Sequence, residues 1–395
     1  MTRGPRHPPR LCMVVHGDFP LDPRVAREAR AATAAGFEVD VIALRRRGEA
    51  AAERVDGIEV TRLPLSHRRG RGSAGLVAEY FGFTAAAAAR LAVRSVRRRY
   101  DVVQIHNPPD FLVAAALVPK LIGSRVLFDV HDFSPDMFDM RFRGRRGAHA
   151  IESALRGIER WALRLSDAVI TVHQPYRREL ILRGVDPAKV AVVMNTVDES
   201  LLPHPPAPRT GDFRVVYHGS VTPHYGVDLI VDAMAEVVQH VDARLEIYGE
   251  GDALRAVEQR VRDLGLERNV AISQEFLAQE EVLRRIAGAS VGVIPNRPTR
   301  LNRFALSSKL FEYVALGISV VAAGLPTLRE HFDDGEVRFF DPGDSAALAA
   351  AILEVARNPA AAEARAEAAR RRYEGYRWES SAATYVSILE RLATR

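Results

Sequence analysis

Short apolar runs alternate with helical segments along this chain, and the alternation limits its fold more than any other feature. The first unit is an apolar strand at 11–15, a helix that begins at Pro23 after the capping residue Asp22, and a strand at 37–44. A strand–helix–strand unit of this size is typical of parallel sheets. Because the same alternation continues, we predict a doubly wound α/β fold.

The alternation is interrupted by a proline-rich stretch at 202–208 that is typical of a linker. A chain of 395 residues is also long for a single hydrophobic core. We therefore predict two α/β domains that face each other across a cleft. The N-terminal domain covers 1–203 and the C-terminal domain covers 209–375, and we expect the helix in 376–395 to pack back on the N-terminal domain.

The composition is that of a soluble globular protein, with 47% hydrophobic and 27% charged residues. The single cysteine, Cys12, excludes a disulfide framework and a cysteine-based metal site. The net charge of +5 comes almost entirely from arginine, because Lys120, Lys189 and Lys309 are the only lysines. The arginine groups lack interleaved aromatic residues, so we expect no nucleic-acid partner.

The basic N-terminal start is followed by an apolar segment, 11–15, that is too short for a signal peptide, and we expect a cytoplasmic protein. The longest stretch of small apolar residues, 74–93, is interrupted by Glu79, Gly82 and Arg90, so we expect it not to cross a bilayer. Arginine groups lie near it, namely Arg68, Arg69 and Arg71, then Arg94, Arg97, Arg98 and Arg99, and then Arg141, Arg143, Arg145 and Arg146. They are most simply solvated faces, but peripheral docking on the inner, anionic face of a membrane stays open.

Polar residues follow the predicted strands of the N-terminal domain. They are His16, Gly17, Asn107, Asp110, His131, Asp132, His173 and Asn195. Ligands of doubly wound sheets bind at the carboxyl ends of the strands, so we expect these residues to face one crevice. A strand-end histidine such as His131 has a plainer alternative, a hydrogen bond to a neighbour such as Asp132.

The segment 307–322 is the most informative stretch of the C-terminal domain. We predict Ser307 and Ser308 as capping residues, Lys309 at the first helical position, and a buried strand after the helix. A cation is unfavourable at a helix N-terminus, so Lys309 there indicates an anion in front of it. Glu312 lies one turn further on, and a surface Lys–Glu pair is the alternative interpretation.

Four fragments in this order resemble the retaining glycosyltransferases of family four, which have the GT-B fold of two Rossmann-like domains. The fragments are 16–25 with 35–39, then 126–132, then 217–228 with 245–251, and then 308–313. The resemblance covers nearly the whole chain. It implies transfer of a sugar from a nucleotide diphosphate sugar, with retention of anomeric configuration, by an enzyme of EC class 2.4.

The resemblance also implies roles for individual residues. Glu312 matches the second glutamate of the family's E-x7-E motif, which holds the ribose hydroxyls, and a carboxylate can accept from both. His131 matches a histidine close to the transferred sugar, where it orients a hydroxyl and supports the transition state. Gly17 matches a loop glycine beside the donor phosphate, and the loop 248–251 matches part of the base pocket.

Three positions depart from the family pattern. Phe304 stands where the first glutamate of the motif is expected, and Ser220 and Tyr225 replace an arginine and a lysine that contact the diphosphate. We expect Lys309, aided by backbone N–H groups at the helix start, to take over from these two cations.

The resulting assignments fall into three groups. The expected catalytic residues are His131, Lys309 and Glu312. The expected donor-binding residues are Gly17, Gly219, Ser220, Tyr248, Gly249, Glu250, Phe304, Ser307, Ser308, Lys309, Leu310 and Glu312. The expected acceptor-binding residues are His16, Asp18, Asn107, Asp110 and Asp132. The acceptor would be a carbohydrate, a lipid-linked sugar or a small molecule, and neither a metal nor another cofactor is expected. A non-catalytic nucleotide-sugar-binding protein on the same fold is the alternative.

Overall fold

The computed structural model describes residues 7–65, 73–137, 148–203, 211–273 and 277–394. The chain divides into two compact units. Unit 1 contains residues up to Asn195 together with Glu379–Arg395, and unit 2 is Thr196–Trp378. The arginine groups predicted at 68–71 and 141–146, and most of the proline-rich stretch, lie outside the described residues.

Unit 1 is built on a sheet of eight strands within the described residues. The strands are β1 (Arg10–Val15), β2 (Glu38–Leu44), β3 (Ala52–Val55), β4 (Ile58–Leu63), β5 (Val102–His106), β6 (Arg125–Val130), β7 (Ala168–Thr171) and β8 (Val190–Val192). Their order in the sheet is β3-β4-β2-β1-β5-β6-β7-β8. All neighbouring strands are parallel except β3 and β4.

The helices of unit 1 follow the strands as a doubly wound fold requires. They are α1 (Pro23–Ala34), α2 (Ser73–Arg97), α3 (Leu117–Leu121), α4 (Ala148–Leu165) and α5 (Gln174–Leu182), with a 3₁₀ helix at Asp110–Ala116. Asp22 caps α1 as predicted, because its Oδ1 accepts a hydrogen bond from the backbone N–H of Arg24 at 3.1 Å.

Unit 2 has a fully parallel sheet of six strands among the described residues. The strands are β9 (Phe213–His218), β10 (Ala243–Tyr248), β11 (Val270–Ser273), β12 (Val291–Ile294), β13 (Ser319–Ala323) and β14 (Arg338–Phe340). Their order is β11-β10-β9-β12-β13-β14. The chain therefore has two parallel-sheet α/β units, which confirms the predicted fold class.

The helices of unit 2 and the C-terminal helix complete the chain. They are α6 (Val227–Val237), α7 (Leu254–Asp263), α8 (Gln279–Ile286), α9 (Ser308–Ala315), α10 (Pro326–His331), α11 (Ser345–Arg357), α12 (Pro359–Tyr373) and α13 (Trp378–Ala393). The division between the units lies earlier than residue 203, because the segment after Asn195 is held by unit 2. Glu199, for example, accepts a hydrogen bond at 2.6 Å from the Tyr373 hydroxyl of α12.

The hydrophobic core of each unit lies on the faces of its sheet. In unit 1 the strand residues Leu11, Met13 and Val14 are fully buried, as apolar runs in parallel strands require. In unit 2 the α9 residues Phe311 and Tyr313 are also fully buried. Packing of α9 against the sheet fixes the orientation of the polar residues that share this helix.

Candidate functional site

The start of α9 in unit 2 brings together several residues that the sequence singles out. Ser307 is the capping residue, with an extended backbone, but its side chain makes no capping hydrogen bond. Ser308 is the first helical residue and Lys309 the second, which corrects the predicted first position of Lys309. The backbone N–H groups of Ser307, Ser308 and Lys309 donate no hydrogen bond to any described residue. The helix therefore begins with free donors beside a lysine.

Lys309 lies directly against Gly219, the residue after strand β9. A methyl group added at Gly219 would be 2.7 Å from Lys309 Cε and 3.0 Å from Lys309 Nζ. Gly219 also has a φ of +104°, which other residues rarely adopt. The end of the lysine side chain thus occupies the space beside Gly219, and the positive φ is what favours glycine at this point.

The Lys309 ammonium group is surrounded by aromatic rings and has no close anion among the described residues. Its Nζ lies 5.4 Å from the centre of the Tyr217 ring and 5.0 Å from that of Tyr225. Burial lowers the pKa of Lys309 below its usual value, and the Glu312 carboxylate offsets only part of that effect. An anionic ligand beside Nζ would stabilise the charged form.

Glu312 is 3% exposed, and each of its two carboxylate oxygens lies next to a polar side chain of unit 2. Its Oε1 accepts a hydrogen bond from Gln279 Nε2 of α8 at 2.9 Å, and its Oε2 lies 2.9 Å from His218 Nε2 at the end of β9. Burial by itself raises the pKa of the Glu312 carboxyl. His218, Gln279 and Lys309 outweigh that effect and hold the pKa below its usual value.

The loop after β10 packs on the loop after β9 through two glycines. A Cβ atom at Gly249 would lie 1.9 Å from the Gly219 carbonyl oxygen, and one at Gly251 would lie 2.0 Å from the Val221 carbonyl oxygen. The Gly219 N–H also donates to the Tyr248 carbonyl oxygen at 2.8 Å. The predicted donor residues Gly219, Tyr248 and Gly249 therefore lie where these two loops pack against each other.

The other predicted donor residues of unit 2 are less closely tied to Lys309. The Tyr248 hydroxyl donates to Glu246 Oε2 at 2.9 Å, so this side chain is occupied within the sheet. Ser220 is exposed, and its carbonyl oxygen accepts from the Tyr217 hydroxyl at 2.7 Å. The described contacts of Phe304 include the Arg303 guanidinium, which is 5.1 Å from the ring centre. Glu250 and Leu310 complete the set: Glu250 is half-buried and accepts through its carbonyl from Val221, while the Leu310 side chain is buried.

In unit 1, Asn107 joins most of the predicted acceptor residues. Its Oδ1 accepts from the backbone N–H of His131 at 2.8 Å, and its Nδ2 donates to Asp110 Oδ1 at 2.9 Å and to the Asp132 carbonyl oxygen at 2.6 Å. Burial raises the pKa of Asp110 to about 6, although the bonds from Asn107 and Ser134 act in the opposite direction. The strand ends of β5 and β6 are thus fixed to each other.

His131 also belongs to a buried cluster with His106 and Asp129. Asp129 Oδ2 lies 2.8 Å from His106 Nδ1 and 3.0 Å from His131 Nε2, and the two imidazole rings are stacked with centroids 5.8 Å apart. His131 Nδ1 has no hydrogen-bond partner among the described residues. Burial alone would raise the pKa of Asp129, but the two histidines hold it below its usual value. One carboxylate therefore orients both rings.

This cluster also has the composition of a metal site. One donor atom from each of His106, Asp129 and His131 lies within 4.8 Å of the others. The same Asp129 oxygen, however, already lies 2.8 Å from His106 Nδ1 and 3.0 Å from His131 Nε2, so an ion bound here would compete with both contacts. The residues can hold a metal only by giving up these contacts, and the expectation of a metal-free site stays a prediction.

The loop after β1 holds the remaining predicted residues, and its polar side chains are engaged. His16 Nε2 lies 3.2 Å from Glu79 Oε1 of α2, and the ring packs edge-on against Tyr80. Asp18 is 3.6 Å from Arg46 Nε. The Gly17 carbonyl oxygen accepts from Leu44 N–H at 2.9 Å, which fixes this loop on β2.

Four residues of these two sites are not among the assignments made from the sequence. They are His106, Asp129, His218 and Gln279. Asp129 carries a recognisable signal, because it is an acidic residue inside the apolar strand β6. Gln279 carries none, because it reaches Glu312 only through the packing of α8.

Both halves of the chain match glycosyltransferase domains. Residues 21–196 match the glycosyl transferase 4-like domain, and residues 212–358 match glycosyl transferases group 1. The chain is 29% identical to a glycogen synthase of Mycobacterium tuberculosis over 302 residues, which covers 73% of this chain and 68% of that one. The chain is therefore similar to a glycosyltransferase over most of its length.

Solved structures show the same fold. Sucrose-phosphate synthase from Thermosynechococcus elongatus superposes with a TM-score of 0.77 at 18% identity, covering 97% of this chain and 99% of that chain. HepE of Anabaena in complex with UDP-glucose gives a TM-score of 0.71 at 15% identity, covering 96% and 99%. The fold is GT-B. The two matched domains and the similarity to glycogen synthase identify the protein as a nucleotide-sugar-dependent glycosyltransferase. A glycosyl transferase 4-like domain followed by a glycosyl transferases group 1 domain is consistent with glycosyltransferase family four.

Proposed function

We propose that the start of α9 binds the diphosphate of the nucleotide sugar. The observation that carries this proposal is the Lys309 ammonium group, which lies against Gly219 with no ion pair to a described residue. The free N–H groups of Ser307 and Ser308 and the positive end of the helix add to the attraction for an anion. This arrangement supplies the charge that Ser220 and Tyr225 cannot provide.

Glu312 would hold the ribose in the same site. An ionised carboxylate has about four acceptor positions; Gln279 donates to one on Oε1, and His218 Nε2 lies against one side of Oε2 at 2.9 Å. The remaining two positions are available to the two ribose hydroxyls. His218 and Gln279 also keep Glu312 ionised, which strengthens hydrogen bonds from hydroxyl groups.

The proposed reaction proceeds with retention of configuration at the anomeric carbon. The bond from this carbon to the β-phosphate oxygen breaks, and a bond to the acceptor oxygen forms on the same face of the sugar. The acceptor proton passes to the departing phosphate, whose negative charge Lys309 stabilises. His131, oriented by Asp129 and Asn107, would contact the transferred sugar through Nδ1.

The donor is a nucleoside diphosphate sugar in this proposal, and the UDP-glucose bound by HepE of Anabaena supports a donor of this kind. We propose that unit 1 binds the acceptor at the ends of β5 and β6, where Asn107 and Asp110 are fixed. The side chains of His16 and Asp18 would need to leave their present partners to contact an acceptor. No metal takes part in the proposed reaction.

Isothermal titration with a nucleoside diphosphate and with the matching nucleoside tests the phosphate assignment. Lys309→Ala should weaken diphosphate binding by about tenfold to a hundredfold, the range expected for one charge-assisted hydrogen bond. Nucleoside binding should change little. Lys189→Ala is the matched control, because Lys189 donates to the Leu163 carbonyl oxygen in unit 1. Equal diphosphate affinity in wild type and Lys309→Ala would contradict the proposal.

A further inference from the structure

The outward side of helix α2 in unit 1 is apolar. Phe81 is 58% exposed and Val96 is 73% exposed, and Val77 and Val93 are exposed on the same helix. Helices on the surface of a soluble protein normally turn charged residues outward. An apolar outer side therefore indicates that a partner covers it.

The neighbouring helix α3 extends this apolar surface. Leu121 is 85% exposed, and Leu117, Val118 and Ile122 are also exposed. Helix α2 packs against α3 and against the 3₁₀ helix, where Phe111 stacks on Phe81 at 4.5 Å between ring centres. We call the exposed apolar residues of the two helices the α2–α3 face.

Helix α2 is long and apolar enough to span a bilayer by composition, but its inner side is part of unit 1. Phe83, Ala87 and Leu91 are fully buried, and Glu79 is buried beside His16. Extracting the helix would expose this core and leave Glu79 unpaired in lipid. The helix can therefore lie on a membrane but cannot cross one without unfolding unit 1.

Positive charge borders the α2–α3 face. Arg90 and Arg97 are exposed on α2 and form no ion pair with a described residue. The Arg99 guanidinium lies beside Gly123, the residue that follows Ile122, at 3.1 Å from the position of a Cβ atom there. The face thus combines apolar side chains with nearby positive charge: Arg90 and Arg97 have no ion pair with a described residue, and Arg99 is 3.7 Å from Asp101 Oδ1. Membrane-surface helices have this combination.

We propose that the α2–α3 face docks unit 1 on an anionic lipid surface. The apolar side chains of α2 and α3 enter the boundary between headgroups and acyl chains, and the arginines contact the lipid phosphates. A second copy of this chain fits less well, because a symmetric contact would bring the arginines of the two copies together. This inference goes beyond the proposed donor site and does not depend on it.

Sedimentation with lipid vesicles tests the proposal on the full chain. The wild type should bind vesicles that contain phosphatidylglycerol, and binding should fall with added salt and be weak on pure phosphatidylcholine. Leu121→Glu should lower binding by about tenfold or more, because it places a carboxylate among the lipids. Leu182→Glu is the matched control, since Leu182 is 81% exposed on α5.

Thermal unfolding checks that both variants keep the fold, and light scattering reports self-association. Vesicle binding that Leu121→Glu leaves unchanged, or no binding by the wild type, would overturn the proposal. A wild-type dimer that becomes a monomer in Leu121→Glu would assign the face to a second copy instead. Diphosphate binding is measured on the same proteins as well. It reports on the donor site independently of whether the α2–α3 face binds lipid or a second copy.

Discussion

Lys309 and Gly219 belong to different strand–helix units, but the Lys309 side chain packs directly on the Gly219 backbone. The end of the lysine side chain occupies the space that a Cβ atom at position 219 would fill, and Gly219 has a positive φ that favours glycine. The sequence indicated both residues, Lys309 by its place at a helix start and Gly219 by the family motif. It did not indicate that they touch, because that contact depends on how α9 packs beside β9.

Asp129 is the residue through which we expect His131 to be positioned. Asp129→Asn replaces an ionised acceptor shared by His106 and His131 with a neutral amide. We expect kcat/KM to fall by about tenfold or more, because the His131 ring loses its fixed orientation. The measurement is steady-state transfer of sugar from a nucleotide sugar.

A double-mutant cycle distinguishes positioning from general damage to the fold. In the His131→Ala background, Asp129→Asn should cost little further activity, since the two residues act as one unit. Diphosphate binding should stay at the wild-type level in both variants. Independent, additive losses would argue against a role for Asp129 through His131.

Among the secondary-structure elements, the strands and helices with strong periodic patterns could be predicted from the sequence. β10 and β11 have the expected apolar residues, whereas β3 consists of three polar or small residues and one valine. β3 forms only because β4 offers an antiparallel edge to it, and a contact of this kind has no local signal. The segment after Asn107 is a 3₁₀ helix followed by the short α3.

The start of this 3₁₀ helix gives a prediction about pH. The pKa of Asp110 is about 6 in the folded chain, against an ordinary value of 3.8. The protonated carboxyl therefore stabilises the fold fully below pH 3.8, and this stabilisation is lost as the pH rises through about 6. The loss is at most about 3 kcal/mol. Asp110→Asn keeps an oxygen acceptor for Asn107 and removes the ionisation.

Urea unfolding of both proteins across this pH range measures the effect. The free energy of unfolding of the wild type, relative to Asp110→Asn, should fall as pH rises from about 4 to about 7. Parallel pH profiles of wild type and variant would show that Asp110 ionises normally in the folded chain.

At the scale of the whole molecule, the chain leaves unit 1, forms unit 2 and returns to unit 1 with α13. The composition and the proline-rich stretch were sufficient to predict two units. The division itself lies at Asn195, because residues 196–203 contact unit 2 through Glu199. Such a boundary depends on long-range hydrogen bonds, which a local change in composition does not report.

The return of α13 to unit 1 is fixed by a buried hydrogen-bond chain. The Tyr385 hydroxyl donates to Gln104 Oε1 at 2.6 Å, and Gln104 Nε2 donates to Glu28 Oε2 at 2.6 Å. Tyr385→Phe should destabilise unit 1 by about 1–3 kcal/mol, since it leaves a buried acceptor unpaired. Urea unfolding measures the change.

Thr384→Ala serves as a control on the same helix, because its hydroxyl bonds only the exposed Ser380 carbonyl oxygen. We expect this control to change stability by less than about 0.5 kcal/mol. A similar, small effect for both variants would mean that Tyr385 does not anchor α13.

In the proposed donor site, the start of α9 binds a diphosphate while Glu312 binds the adjoining ribose. A crystal structure of the protein with a bound nucleoside diphosphate tests it most directly. Phosphate oxygens should lie about 3 Å from Lys309 Nζ, and ribose hydroxyls should lie at the same distance from the Glu312 carboxylate oxygens. A diphosphate bound away from Lys309, with Glu312 contacting only His218 and Gln279, would contradict it.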